Sequence, residues 1–279
     1  VASGALVHTY EGHQGTVTGV AFTPNGDSIA SSSLDQTLRL WELPSHRELK
    51  PLATHKDAVS ALAVSPDGKL LATASVDMTV KVLDITTGTE LKSLAGHTGP
   101  VTALAFAADN KTLATGSADK TIRLWDAVAG TATHVFGAAS DAITGLSFSP
   151  NGQALLSSSV DGSIKLWDLT TAKPALTLGG HSDQVTAMAL SADGNTVAVG
   201  APSEDSRAAG INNNAFQKDD SLANSGAVYV FTRTGGAWSQ QAYVKASNSD
   251  GGDLFGYAIG LSADGNAMVV SGYDEDGSP

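Results

Sequence analysis

Four residue types return along this chain at a fixed step of 42. Aspartates stand at 35, 77, 119 and 161, and histidines at 13, 55, 97 and, two steps later, 181. Serines at 33, 75, 117 and 159 precede the aspartates by two, and Trp41, Leu83, Trp125 and Trp167 close the units. A serine, a histidine and an aspartate brought together could form an activated nucleophile with its base. A hydrolase, however, needs one such nucleophile in one site, whereas this set recurs from unit to unit. The repetition therefore points to folding chemistry, and no catalytic residue is assigned.

The elements that carry these residues are short strands. Within one unit, "GTVTGVAFTPNGDSIASSSLDQTLRLWEL" alternates apolar and polar residues in three runs separated by the turn sequences "PNGD" and "LDQT". A fourth run follows, such as "ELKSLA" at 90–95. A four-stranded meander of this size buries one face and exposes the other, so it must stack on copies of itself, and radial stacking gives a β-propeller.

The "EGH", "SPDG", "TASVDMTVKVLD" and "TGSADKTIRLWD" phrases resemble WD repeats over roughly residues 3–200. The resemblance implies a hydrogen-bonded chain within each blade, running from the histidine through a strand-two hydroxyl and the turn aspartate to the tryptophan. The residues so implied are His13, Ser33, Asp35 and Trp41; His55, Ser75 and Asp77; His97, Ser117, Asp119 and Trp125; Ser159, Asp161 and Trp167; and His181. Thr115, on the same strand face as Ser117, is a substitute for it. A satisfied buried bond contributes about 1 kcal/mol net and an orphaned group costs about 1 to 3. Leu83 in place of tryptophan, and Ala139 where register demands histidine, predict weaker networks in the second and fourth blades.

After His181 the vocabulary changes. "DQVTAMALSADGNTVAVG" begins a fifth unit, but the WD-type turn never arrives, and a polar stretch predicts a long loop over 203–225 between its second and third strands. "LSADGN" at 190–195 returns at 261–266, and "VAVGAP", "LFGYAI" and "VVSGY" resemble FG-GAP repeats, the blades of integrin-like propellers, over about residues 184–279. The expectation is an all-β chain forming one propeller domain, 1–279, with WD-type blades over 1–183 and FG-GAP-like blades over 184–279. About six four-stranded antiparallel blades are expected, the last incomplete, or seven if residues are missing. "SGALVHTYEGH" matches the fourth strand of later units and is expected to close the ring.

Sixteen basic against 28 acidic residues give a charge of −12, which repels phosphate backbones and argues against nucleic acid as a partner. There is no cysteine, no apolar run long enough to span a bilayer, and no P-loop, dinucleotide turn or nucleophile elbow. FG-GAP blades of the integrin type often bind calcium, which needs about six to eight oxygens; Asp253, Asp274 and Asp276 are the candidate ligands, against the alternative of a solvated acidic turn. The row Arg39, Lys81, Arg123 and Lys165 reads as basic stems covering apolar surface rather than an anion ring. The loops expected to face a protein partner carry Gln14, Lys56, Thr98, Asp141 and Asp183. The function expected is a non-catalytic protein-binding scaffold, as an accessory subunit of a larger bacterial assembly; the alternative is a calcium-dependent adhesion or carbohydrate-recognition propeller. Extracytoplasmic residence is expected, with the cytoplasm as the alternative.

Overall fold

The computed structural model describes residues 8–52, 55–137, 139–171, 173–178, 185, 187–191, 193–205, 222–234, 237–247, 251–262 and 264–272. These form strands and turns, and among them there is no helix long and apolar enough to cross a membrane. The first blade comprises β1 (Val17–Phe22), β2 (Ser28–Ser33), β3 (Leu38–Glu42) and β4 (Arg47–Pro51). The second comprises β5 (Val59–Val64), β6 (Leu70–Ser75), β7 (Val80–Asp84) and β8 (Glu90–Leu94), and the third β9 (Val101–Phe106), β10 (Thr112–Ser117), β11 (Thr121–Asp126) and β12 (Thr131–Gly137). The fourth has β13 (Ile143–Phe148), β14 (Ala154–Ser159), β15 (Ile164–Asp168) and β16 (Lys173–Leu178); the fifth has β17 (Ala187–Leu190), β18 (Thr196–Ala201), β19 (Ala227–Thr234) and β20 (Ala237–Val244). β21 (Ala258–Leu261) and β22 (Met268–Ser271) form a two-stranded sheet. Each four-stranded sheet runs in chain order. Two compact units divide the chain, residues 1–119 with 123–134 and residues 120–122 with 135–279.

The turn between the first two strands is built alike in both vocabularies. Ser65 Oγ donates to Asp67 Oδ1 at 2.7 Å and accepts from the Leu70 N–H at 2.9 Å. Ser262 bonds Asp264 and Ala267 at 2.6 and 2.9 Å in the same way. Such Asx-type turns tie the side chain to its own backbone and set the hairpin register.

Packing follows from the two-faced strand. Leu62 and Val64 of β5 pack on a core that includes Ala30, Leu38 and Leu40 of the first blade. Leu104 and Phe106 of β9 pack on Ala72, Val80 and Val82 of the second. In the other unit, Met188 and Leu190 of β17 join a core that includes Leu156 and Ile164 of the fourth blade. Each of these first strands thus fills the sheet that precedes it.

Hydroxyls line these seams. β1, β5, β9 and β13 each slip register by one residue against their partners, around Thr18, Ser60, Thr102 and Thr144. A bulge re-aims its extra side chain. Thr18 Oγ1 donates to the Val59 carbonyl at 2.7 Å, Ser60 Oγ to that of Val101, and Thr144 Oγ1 to that of Val185 at 2.7 Å. The fifth blade is joined to β21 differently, by direct backbone approach. Gly226 bridges Phe255 in parallel, and a Cβ on Gly200 would collide with the Gly256 carbonyl oxygen, so no other residue fits there.

Removing one seam hydroxyl should be measurable. Thr144→Val is expected to lower stability in urea unfolding by about 1 kcal/mol, the net worth of a buried hydrogen bond, while Thr144→Ser keeps most of it.

Candidate functional site

In the third blade the Trp125 indole N–H donates to Thr115 Oγ1 at 2.9 Å. That oxygen's own proton then goes to His97 Nε2, 2.7 Å away, leaving the His97 Nδ1–H to donate to Asp119 Oδ2 at 2.8 Å. The order of donors requires a neutral imidazole protonated on Nδ1. The first blade repeats it: Trp41 to Ser31 at 2.9 Å, Ser31 to His13 Nε2 at 2.8 Å, and His13 Nδ1 to Asp35 Oδ2 at 3.1 Å.

The strand-two member of the chain is therefore Ser31 or Thr115, the substitute position, and not Ser33 or Ser117. β2 and β3 pair Ile29 with Trp41, so the indole reaches the same-face diagonal neighbour Ser31, while Ser33 lies at the strand end. Ser33, Ser75, Ser117 and Ser159 instead accept the N–H of Asp35, Asp77, Asp119 and Asp161 at 3.1, 3.0, 3.0 and 3.3 Å, holding the turn in which the aspartate sits.

Two blades carry shortened chains. In the second, Thr73 bonds His55 at 2.9 Å and His55 bonds Asp77 at 3.0 Å, but Leu83, fully buried, offers no indole N–H. In the fourth, Trp167 donates to Ser157 at 2.9 Å, but Ala139 cannot carry the link onward. The Ser140 hydroxyl and N–H bind Asp161 Oδ2 instead. His181 lies outside the described residues.

Each aspartate has more than one task. Asp35 Oδ1 accepts the N–H and hydroxyl of Thr37, and Oδ2 accepts His13 and the Gln14 N–H, 2.7 Å away. Burial pushes the Asp35 carboxyl up, but the Thr37 hydroxyl, the two N–H groups and His13 outweigh it and hold it far below the usual carboxylate range. The same balance lowers Asp77 to about 2, through Thr79, the Lys56 N–H and His55. Asp161 is lowered against burial by Ser140 and by the Ser163 and Ser140 N–H groups. Burial lowers His55 and His97, opposed in part by Asp77 and Asp119.

The partner-face residues sit on these carboxylates. The N–H groups of Lys56 and Thr98 bind Asp77 and Asp119 at 3.0 and 2.9 Å, as that of Gln14 binds Asp35, while all three side chains are exposed. Asp141 is exposed and accepts the Ala142 N–H at 2.8 Å; Asp183 lies outside the described residues. Beside them Leu34, Val76 and Met78 are exposed too. Gln36, Met78 and Lys120 adopt positive φ (72°, 68° and 69°) at the place held in the fourth blade by Gly162. In the basic row, Arg39 pairs with Glu48 at 2.7 Å and Lys81 with Glu90 at 2.8 Å.

Of the calcium candidates, Asp253 is buried, while Asp274 and Asp276 lie outside the described residues; among the described residues no three His, Asp or Glu side chains group to hold a metal. Sequence reasoning missed a buried polar cluster around Glu204, Ser225, Tyr229 and Lys245, whose signal was a charged residue directly past an apolar strand.

Comparison with known proteins agrees with this geometry. The WD domain, G-beta repeat family model matches residues 172–208. A second model matches residues 1–161, more than half of the chain, so the protein is a WD-repeat β-propeller protein. The chain belongs to the family described as the WDR36/Utp21 second beta-propeller domain. It is also 44% identical over 54 residues to an uncharacterized WD repeat-containing protein of Synechocystis sp. (strain ATCC 27184 / PCC 6803 / Kazusa), a match that covers 19% of this chain and 16% of that protein.

Acid should loosen the fold in two stages. His55 and His97 titrate below the ordinary 6.5 when folded, so the unfolded chain takes up protons first and stability falls as pH drops below 6.5. The carboxylates, lowered from 3.8, add a second loss below pH 3.8, which for Asp77 runs down to about pH 2. Calorimetric melting between pH 8 and 2 reads both. Trp125→Ala should cost about 3 to 5 kcal/mol in the same assay at neutral pH.

Proposed function

We propose that the chain is a non-catalytic scaffold that binds protein through the face bearing Gln14, Lys56, Thr98 and the exposed Leu34, Val76 and Met78. The observation that carries this reading is the double use of each carboxylate: Asp35 Oδ2 holds both His13 inside and the Gln14 N–H at the surface. A loop anchored in this way is displayed on a rigid base, which lowers the ordering cost of binding. Met78, an apolar side chain 43% exposed at the rim beside Leu34 and Val76, supports the same view. WD-repeat domains generally mediate protein–protein contact, which fits the family.

The finer reading is a single ring of about six blades, the last two in the FG-GAP dialect, serving as an accessory subunit of a bacterial assembly outside the cytoplasm. The cyanobacterial relative supports the bacterial part. Two uncovered faces support the ring. Val20 and Phe22 of β1 are 60% and 64% exposed, although Leu62 with Val64 and Leu104 with Phe106, their counterparts, fill a preceding sheet. Val269 of β22 is 76% exposed, at the register where Ala30, Ala72 and Ala198 are buried.

Two measurements test these readings. The double variant Leu34→Asp, Met78→Asp should melt like the parent, since exposed substitutions act within about 0.5 kcal/mol, yet lose the proteins that the parent retains from its native source; unchanged retention would rule the face out. Phe22→Asp should lower the melting temperature if a blade covers β1, and an unchanged value would rule out closure there.

A further inference from the structure

Among the described residues, the Asp, Glu and Lys residues that are buried as whole residues lie in one stretch of the second unit: Glu204 (1% exposed), Lys245 (3%) and Asp253 (3%). Glu204 stands just past β18, Lys245 directly follows β20, Ser225 precedes β19, and Tyr229 is on β19. The Tyr229 hydroxyl donates to Glu204 Oε2 at 3.2 Å, and Lys245 Nζ donates to Ser225 Oγ. Ser225 Oγ donates in turn to the Glu204 carbonyl at 3.1 Å.

The backbone closes around the same residues. Gly226 N–H reaches the Glu204 carbonyl at 2.9 Å and Leu222 N–H that of Asp205 at 2.8 Å, while the Asp205 carboxylate accepts the Asn224 N–H at 2.8 Å. The connection between β18 and β19 is thereby pinched at its neck. Segment 252–255, which contains Asp253, runs beside it through Gly252 N–H to Ala223 O and Leu254 N–H to Asn224 O, both 3.0 Å.

An acidic neck buried this far needs a counter-charge, because a buried carboxylate without one is strongly unfavourable. The first four blades answer the need with a ladder of hydrogen-bond donors in a short turn; here Tyr229 and the Asn224 N–H donate to Glu204 and Asp205, and an ammonium stands beside them. We propose that the Lys245 ammonium is the resident cation of the neck, a tethered counter-charge for Glu204 and Asp205 that locks β18, β19 and β20 together and does for them what a bound divalent ion would otherwise do. Burial pulls the Lys245 amine down to about 8, while Glu204 and then Asp205 act to keep it charged. The inference stands apart from the protein-binding reading. It makes the fifth blade independent of calcium.

Thermal melting of the full chain tests it, in calcium chloride and in chelator, for the parent, Lys245→Met, Glu204→Gln and the double variant. The parent should melt alike in both buffers, each single variant should melt lower, and the double should recover about half or more of the Lys245→Met loss, because the buried Glu204 carboxylate is then no longer left without its cation. If Lys245→Met does not fold, a folded double variant supports the proposal equally and an unfolded one overturns it. Parent-like melting of Lys245→Met, additive losses in the double, or a calcium-induced rise that Glu204→Gln abolishes would each overturn the proposal.

Discussion

A four-stranded sheet has two faces, and a chain of small sheets is stable only if each covers its neighbour. Here the covering group is the first strand of the following blade. Leu62 and Val64, Leu104 and Phe106, and Met188 and Leu190 all insert at the same register into the sheet before them. The rest of the design serves that contact: alternation supplies the apolar residues, Asx turns fix the register, and the bulged Thr18, Ser60 and Thr144 bind the neighbour's backbone. Burial of this kind is worth about 25 cal/mol per Å² of apolar surface, so repeated seams outweigh single polar contacts.

The polar chains decide how the rim of each blade is held rather than whether the blade forms. The second and fourth blades lack one member each, yet Leu83 packs as apolar core and Ser140 supplies donors that a histidine would have given. What these chains keep is the aspartate: Asp35, Asp77 and Asp161 each bond a turn N–H on one side and a loop N–H on the other. Interior order and surface display thus meet at one carboxylate.

Much of this was legible in the sequence, because a period of 42 reveals itself in any residue type that recurs. The four-stranded sheets and the placement of β21 and β22 follow from alternation and register, and the histidine–aspartate pairs from the resemblance to WD repeats. The choice of Thr115 over Ser117 did not, since both lie on the same strand face and only the diagonal reach of the indole separates them. The seam hydroxyls also recur at 42, but their role depends on a bulge, which no alternation pattern shows. Glu204 and Lys245 are far apart in the chain and join only when three strand ends converge, so composition alone reads them as surface charges.

The seam itself is the claim to test, and Phe106 is the residue to test it with. Phe106→Ala, followed by urea unfolding, should cost at least about 2 kcal/mol, as expected for an aromatic packed on the core of the blade before it. A loss under about 0.5 kcal/mol, the range of exposed substitutions, would mean that the blades do not stack in this way.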